Sequence, residues 1–84
     1  LIDPSNAVRL TITSPTSVGR NFPAILRALD ALQATDRSPI STPAEWVPGD
    51  RVIVAPAIAT DDARERFANV DEVKPYLRFA DAPA

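Results

Sequence analysis

Gly19-Arg20-Asn21-Phe22-Pro23-Ala24-Ile25-Leu26-Arg27-Ala28-Leu29-Asp30-Ala31-Leu32 is the most strongly patterned stretch of the chain. Phe22, Ile25, Leu26, Leu29 and Leu32 recur at the i, i+3, i+4, i+7 spacing of a helix with one apolar face. Arg27, Asp30 and Gln33 fall on the polar side. Asn21 suits the N-cap, where its amide oxygen accepts from an N–H of the first turn. Pro23 fits that first turn, because its missing N–H has no carbonyl partner there. The spacing predicts a helix from Phe22 to about Thr35. Prolines at 39 and 43 then end it and carry the chain, over Asp36–Pro43, into a second region.

Upstream of the helix, Val8-Arg9-Leu10-Thr11-Ile12-Thr13 alternates strictly, with Val8, Leu10 and Ile12 on one face. Asp3-Pro4-Ser5-Asn6 reads as a β-turn, with Asp at its first position and Pro presetting φ at its second. Leu1-Ile2-Asp3 and Val8–Thr13 therefore predict a hairpin whose first arm is short. Ser14 to Val18 is a polar loop. Downstream, Val47-Pro48-Gly49-Asp50 is a turn signal and Arg51–Ala55 a short strand closed by Pro56. Thr60-Asp61-Asp62 opens a short helix to about Phe67, with Thr60 as its cap and acids where the helix dipole favours them. Tyr76–Phe79 is a last short strand, and Ala80 to Ala84 is expected to be a loose tail. The fold class is α/β.

The 84 residues hold no Cys, no His and no Met. A disulfide, a thiol nucleophile and a Cys/His metal site are therefore outside this chain's chemistry, and so is a Ser-His pair. Net charge is -2, with a single Lys, which disfavours binding to nucleic acid. No apolar run approaches the roughly 20 residues of a membrane span, and no signal peptide is legible. The apolar content is 45%, but 14 of those residues are Ala, so the core is lean. Residues 1–42 carry four cations and three acids; residues 43–84 carry five and eight. A chain that begins with Leu and holds no Met reads as a fragment or a processed product.

Arg20 is the residue with the clearest chemical interest. A cation just before a helix N-terminus is electrostatically misplaced, since that end is already partly positive. Its position makes sense if an anion lies nearby, with Gly19 and the free N–H groups of the first turn helping to attract one. The plainer alternative is that Arg20 points to water or pairs with a structural Asp. Thr11, Thr13, Ser14, Thr16 and Ser17 form a hydroxyl-rich stretch, but a nucleophile there needs a base and only Lys74 is available. Asp61, Asp62 and Glu65 are better explained as helix-start acids than as cation ligands. Trp46 reads as a core or interface anchor. The residues by themselves give no self-sufficient catalytic set.

Two stretches carry a family resemblance. Thr16-Ser17-Val18-Gly19-Arg20-Asn21-Phe22, with Ile25-Leu26-Arg27 and Leu32-Gln33-Ala34-Thr35-Asp36, resembles the Gly-Arg-Asn-Phe helix of the one-cysteine peroxiredoxins. Thr42-Pro43-Ala44-Glu45-Trp46 and Gly49-Asp50-Arg51-Val52-Ile53-Val54-Ala55-Pro56 are similar to that family's C-terminal extension. Ile2-Asp3-Pro4 and Lys74-Pro75-Tyr76-Leu77-Arg78 fit its pattern as well. Pro23 departs from it where an acid often follows the Phe, Thr13 is polar where an apolar residue is common, and Glu45 replaces the usual Asp before Trp. Ala68–Val73 departs from the family's Pro-Lys-Gly type of loop.

The resemblance implies the C-terminal part of a thioredoxin-like fold, a β-hairpin and helix over residues 1–37, followed by a small α+β extension over residues 38–84. It implies an enzyme of roughly twice this length. That enzyme reduces hydrogen peroxide and organic hydroperoxides through a Cys in an upstream Pro-x-x-x-Thr-x-x-Cys loop. A further active-site arginine is implied just before Leu1. Arg20 falls on the family's second active-site arginine, in a supporting role. Dimerisation through the strand matching Val8–Thr13 is implied, as is packing of the extension on the neighbouring subunit. The expected partners are a second copy or a companion N-terminal chain, a peroxide and an external thiol reductant, with no nucleic acid and no membrane. No cofactor or metal is expected, and the expected location is cytoplasmic. From another class, a non-catalytic dimerisation or interaction module of the same shape is the alternative.

Overall fold

The computed structural model describes residues 1–83. Helix α1 spans Phe22–Arg37, two residues beyond the spacing's prediction. Asn21 caps it as expected: its side-chain oxygen accepts from the Ala24 N–H at 3.1 Å, and Pro23 sits in the first turn. Ser38 ends it in an extended conformation, its N–H still donating to the Ala34 carbonyl at 3.2 Å. Arg37 in the last turn complements the helix dipole. No residue of α1 is fully buried, and Phe22 and Leu26 are 71% and 61% exposed. Arg27 departs from its expected polar position. It is half-buried, and its Nη1 donates to the Trp46 carbonyl at 3.5 Å.

The predicted hairpin forms around its turn. The Asn6 N–H donates to the Asp3 carbonyl at 2.9 Å, closing Asp3-Pro4-Ser5-Asn6. Asp3 N–H to Ala7 O and Arg9 N–H to Leu1 O follow, with one bridge pairing Ile2 and Val8. Leu10–Thr13 have no ladder partner among the described residues, so the predicted strand is only begun.

Residues 40–80 form a four-stranded antiparallel sheet of β1 (Ile40–Ser41), β2 (Val52–Val54), β3 (Asp71–Lys74) and β4 (Leu77–Ala80) in the order β1-β2-β4-β3. The strands at 52–54 and 77–80 are the predicted ones, each shifted or trimmed by a residue or two. The outer strands β1 and β3 are additions. β1 is two residues set between two prolines, and β3 is Asp-Glu-Val-Lys, wholly exposed, with an irregularity between Glu72 and Lys74. β3 therefore occupies part of Ala68–Val73, the segment that departs from the related pattern. A charged, irregular edge resists pairing with further strands.

One face of this sheet is covered. Val52, Val54 and Ala80 are completely buried on it. Two apolar clusters form there, Ile40, Trp46 and Val52 in one, and Val54, Ala63 and Ala80 in the other, with Phe67 packed against both. Ala63 comes from helix α2 (Thr60–Arg66). Its N-cap is Ala59, with no side-chain cap bond, so Thr60 is the first helical residue and not the cap. The Thr60 hydroxyl instead accepts from Arg78 Nη1 at 3.2 Å. The tail departs from expectation too. Ala80 is the last residue of β4, the Asp81 N–H donates to the Ala68 carbonyl, and Ala82 is half-buried; Ala84 lies outside the described residues.

Val47-Pro48-Gly49-Asp50 is a turn closed by Asp50 N–H to Val47 O at 3.0 Å, with Gly49 at φ 99, where a side chain is strained. It presents the Asp50 carbonyl to the Trp46 indole N–H at 3.2 Å. Just before it, Glu45 has φ 62 within a turn closed by Trp46 N–H to Pro43 O. Glu lacks the short polar side chain that eases this left-handed conformation. Glu45→Asn is therefore expected to raise stability by about 0.5–1 kcal/mol, read as a higher urea midpoint at unchanged slope. A lower midpoint would show that Glu45 makes a contact worth more than its backbone strain.

The radius of gyration is 15.1 Å and the long axis 48 Å. A globule of this length has a radius of gyration of about 12 Å. Helix α1 touches the sheet through Ala31 and Ala34, which pack against the Ile40, Trp46 and Val52 cluster, while Phe22 and Leu26 near its start stay exposed.

Candidate active-site arginine and its surroundings

Arg20 lies in an irregular segment directly before the Asn21 cap, exposed, with no ion pair among the described residues. The first turn of α1 has no acidic residue to balance it. The anion-attracting backbone expected there is thin. Pro23 has no N–H, the Ala24 N–H is taken by the Asn21 side chain, and the Ile25 N–H donates to the Asn21 carbonyl at 3.2 Å. Gly19 has open space where a Cβ would stand. The positive charge at this end of α1 is thus carried by the Arg20 side chain far more than by free amides.

The other candidates do not assemble. No hydrogen bond joins Lys74, on β3, to Thr11, Thr13, Ser14, Thr16 or Ser17 among the described residues. Asp61, Asp62 and Glu65 stand on or beside the first turns of α2, and no metal-holding group of acids occurs among the described residues. Trp46 is buried at 5% exposure, as a core anchor.

Two ion-pair networks hold the pieces together, and neither is legible from local pattern. In the first, Arg9 of the hairpin makes a two-pronged contact with Asp36 of α1, Nη2 to Oδ1 at 2.9 Å and Nη1 to Oδ2 at 3.1 Å, and reaches Asp3 at 3.3 Å. Asp36 would otherwise sit unfavourably near the negative end of its helix. Asp3 Oδ1 also accepts from the Ser5 hydroxyl, the Ser5 N–H and the Ala7 N–H. The Ser5 hydroxyl and the Ala7 amide are the main reasons its carboxyl is lowered to about 2. Arg9 lowers Asp36 in turn and is itself raised, chiefly by the bond to Asp36. In the second network, Arg51 Nη1 pairs with Asp71 at 2.6 Å, Arg51 Nη2 donates to the Asn69 carbonyl, and Asn69 Nδ2 donates to Asp81 at 2.6 Å.

Arg78 is the residue that sequence reasoning passed over. It is 1% exposed, on the covered face of β4. Nη2 donates to the Ala55 carbonyl at 3.0 Å and Nη1 to Thr60, while Nε has no partner. No carboxylate pairs with it among the described residues.

A family model for the C-terminal domain of 1-Cys peroxiredoxin matches residues 31–69. The chain is 47% identical over 79 residues to the mitochondrial peroxiredoxin PRX1 of Saccharomyces cerevisiae, covering 94% of this chain and 30% of that protein. It is 42% identical to a 1-Cys peroxiredoxin of Dictyostelium discoideum, with 98% and 34% covered. Among solved structures, a yeast mitochondrial 1-Cys peroxiredoxin superposes at TM-score 0.90 with 46% identity, over 95% of this chain and 38% of that one. A peroxiredoxin 6 of Arenicola marina does so at TM-score 0.90 with 39% identity, over 98% and 40%. The chain belongs to the one-cysteine peroxiredoxin family and corresponds to its C-terminal part. It spans about a third of the length of the curated relatives it matches. The cytoplasmic expectation is corrected here, since the similarity to a mitochondrial peroxiredoxin points away from it.

Proposed function

We propose that this chain serves, within a longer one-cysteine peroxiredoxin, as the segment that supplies a supporting active-site arginine, dimer surface and a C-terminal cover. The observation that carries this reading is the position of Arg20. It is an exposed cation without a partner among the described residues, at the N-terminus of a capped helix, inside a stretch that resembles the family's Gly-Arg-Asn-Phe motif. The division falls between residues 37 and 38.

In the complete enzyme an upstream Cys thiolate attacks one oxygen of the peroxide. The O–O bond breaks, the Cys becomes a sulfenic acid, and the second oxygen leaves as water or alcohol after taking a proton. An external thiol then condenses with the sulfenic acid, releasing water, and a second thiol reduces the resulting disulfide. Arg20 favours the thiolate and the negative charge that develops on the departing oxygen. The exposure of Phe22, Leu26, Ile2, Val8 and Ile12 supports a further layer of protein against α1 and the hairpin. In this reading that layer is the rest of the thioredoxin-like sheet and a second subunit along Val8–Thr13.

The test is peroxide consumption with a thiol reductant by the 84-residue chain alone and by the whole polypeptide that carries it. No turnover is expected from the former, which contains no Cys, and turnover from the latter. A whole polypeptide without an upstream Pro-x-x-x-Thr-x-x-Cys loop and without turnover would favour the non-catalytic dimerisation module instead.

A further inference from the structure

The residues after β4 do not leave the fold. The Asp81 N–H donates to the Ala68 carbonyl at 3.0 Å, its carboxylate accepts from the Asn69 amide at 2.6 Å, and Arg51 Nε lies 3.6 Å from it. The groups that hold Asp81 are themselves fixed. Asn69 adopts φ 55, which its short polar side chain tolerates, and Arg51 is bound to both the Asn69 carbonyl and Asp71. Beyond this bracket the chain keeps its alternation. Ala82 falls on the same face as Arg78 and Ala80 and is half-buried against Ile40, Trp46 and Val52. Pro83 lines a cleft of about 310 Å³ whose floor is formed by those three residues and whose polar wall includes Gln33 and Arg37 of α1.

We propose that residues 81–83 form a latched strap, with Asp81 as the latch and Ala82–Pro83 as the segment that closes one end of the cleft over Trp46. Two observations support this. Residues 81–83 belong to no strand, so no ladder holds them there. Ala and Pro also bury little apolar area, so their seat depends on the polar bracket at Asp81. Releasing the latch frees the strap and opens the cleft floor to solvent, without dismantling the sheet. The strap controls access to Trp46.

Hydrogen exchange measured by mass spectrometry tests this in the whole polypeptide that carries the chain. Asp81→Ala removes the carboxylate contacts of the latch to Asn69 and Arg51 and leaves only its backbone bond to Ala68, and deletion of residues 82–84 removes the seat while keeping Asp81. In both, exchange over residues 46–50 is expected to rise about tenfold or more, while the β2–β4 ladder around Ile53 and Phe79 stays at its parent rate. Exchange over 46–50 within about twofold of the parent in the deletion variant overturns the proposal. So does a ladder that loosens in step with residues 46–50 in both variants, because Asp81 and the tail would then serve only the general stability of the sheet.

Discussion

Arg78→Ala is expected to lower stability by about 2–4 kcal/mol, and Arg78→Met by about half as much. The guanidinium is buried with two acceptors, the Ala55 carbonyl and the Thr60 hydroxyl, and without a carboxylate among the described residues. A buried charge so poorly compensated is costly in itself, and an apolar side chain of the same volume relieves that cost. Alanine relieves it too, but leaves a cavity among Val54, Ala63 and Ala80 and strands both acceptors. Methionine fills most of the volume with an adaptable thioether and strands the acceptors only. Urea unfolding of the whole polypeptide gives both numbers. Equal losses in the two variants would place the effect in the hydrogen bonds and not in the filled space. No loss in the alanine variant would mean that β4 needs no tie to the start of α2.

The same residue shows where the sequence misleads. Leu77-Arg78-Phe79-Ala80 alternates, and hydropathy puts Leu77 and Phe79 inward. The structure does the reverse: Arg78 and Ala80 are buried, while Leu77 and Phe79 are only half-buried. The reason is the layer arrangement. Helices and the Trp46 turn cover a single face of this sheet, and the register of Val52 with Ala80 fixes which face that is. No local pattern carries that information. Helix α1 was legible because spacing, cap and proline all agree, and the Asp3 and Gly49 turns because turn chemistry is local. β1 and β3 were not, since two residues between prolines and an exposed Asp-Glu-Val-Lys edge carry no alternation of their own. Thr60 looked like a cap because the acids after it fit either frame; its hydroxyl is claimed by Arg78, across the fold. Of the candidate site, an electrostatic misfit singled out Arg20, and the role proposed for it rests on the family resemblance. The arginine ties that build the surroundings, Arg9 to Asp36 and Arg51 to Asp71, span 27 and 20 residues and lay beyond any local reading.

Arg20→Met in the complete enzyme is expected to slow peroxide attack on the Cys by about a hundredfold, or about 2.7 kcal/mol of barrier, the loss typical of one donor to a developing oxyanion. Its expected effect on stability is small by comparison, since the attraction to the thiolate that is lost is offset by relief at the helix end. Arg20 makes no ion pair among the described residues, and it stands at the positive end of α1 with no acid in the first turn to offset it. Removing the charge relieves that repulsion by about 0.3–1 kcal/mol at low salt, less at high salt. A purely structural arginine would behave otherwise, since its loss would lower stability and leave the chemical step alone. Stopped-flow fluorescence of sulfenate formation, set beside thermal unfolding of the reduced protein, separates the two. A slower reaction in a protein as stable as its parent or more so supports the active-site role. An unchanged rate with a lower melting temperature would assign Arg20 to structure, through contacts made outside this chain. Arg20→Lys refines the result, because it keeps the charge at the helix end but loses the planar fork of donors. If the lysine variant recovers thiolate formation at neutral pH but not the rate of oxygen transfer, Arg20 acts by orienting the peroxide as well as by its charge.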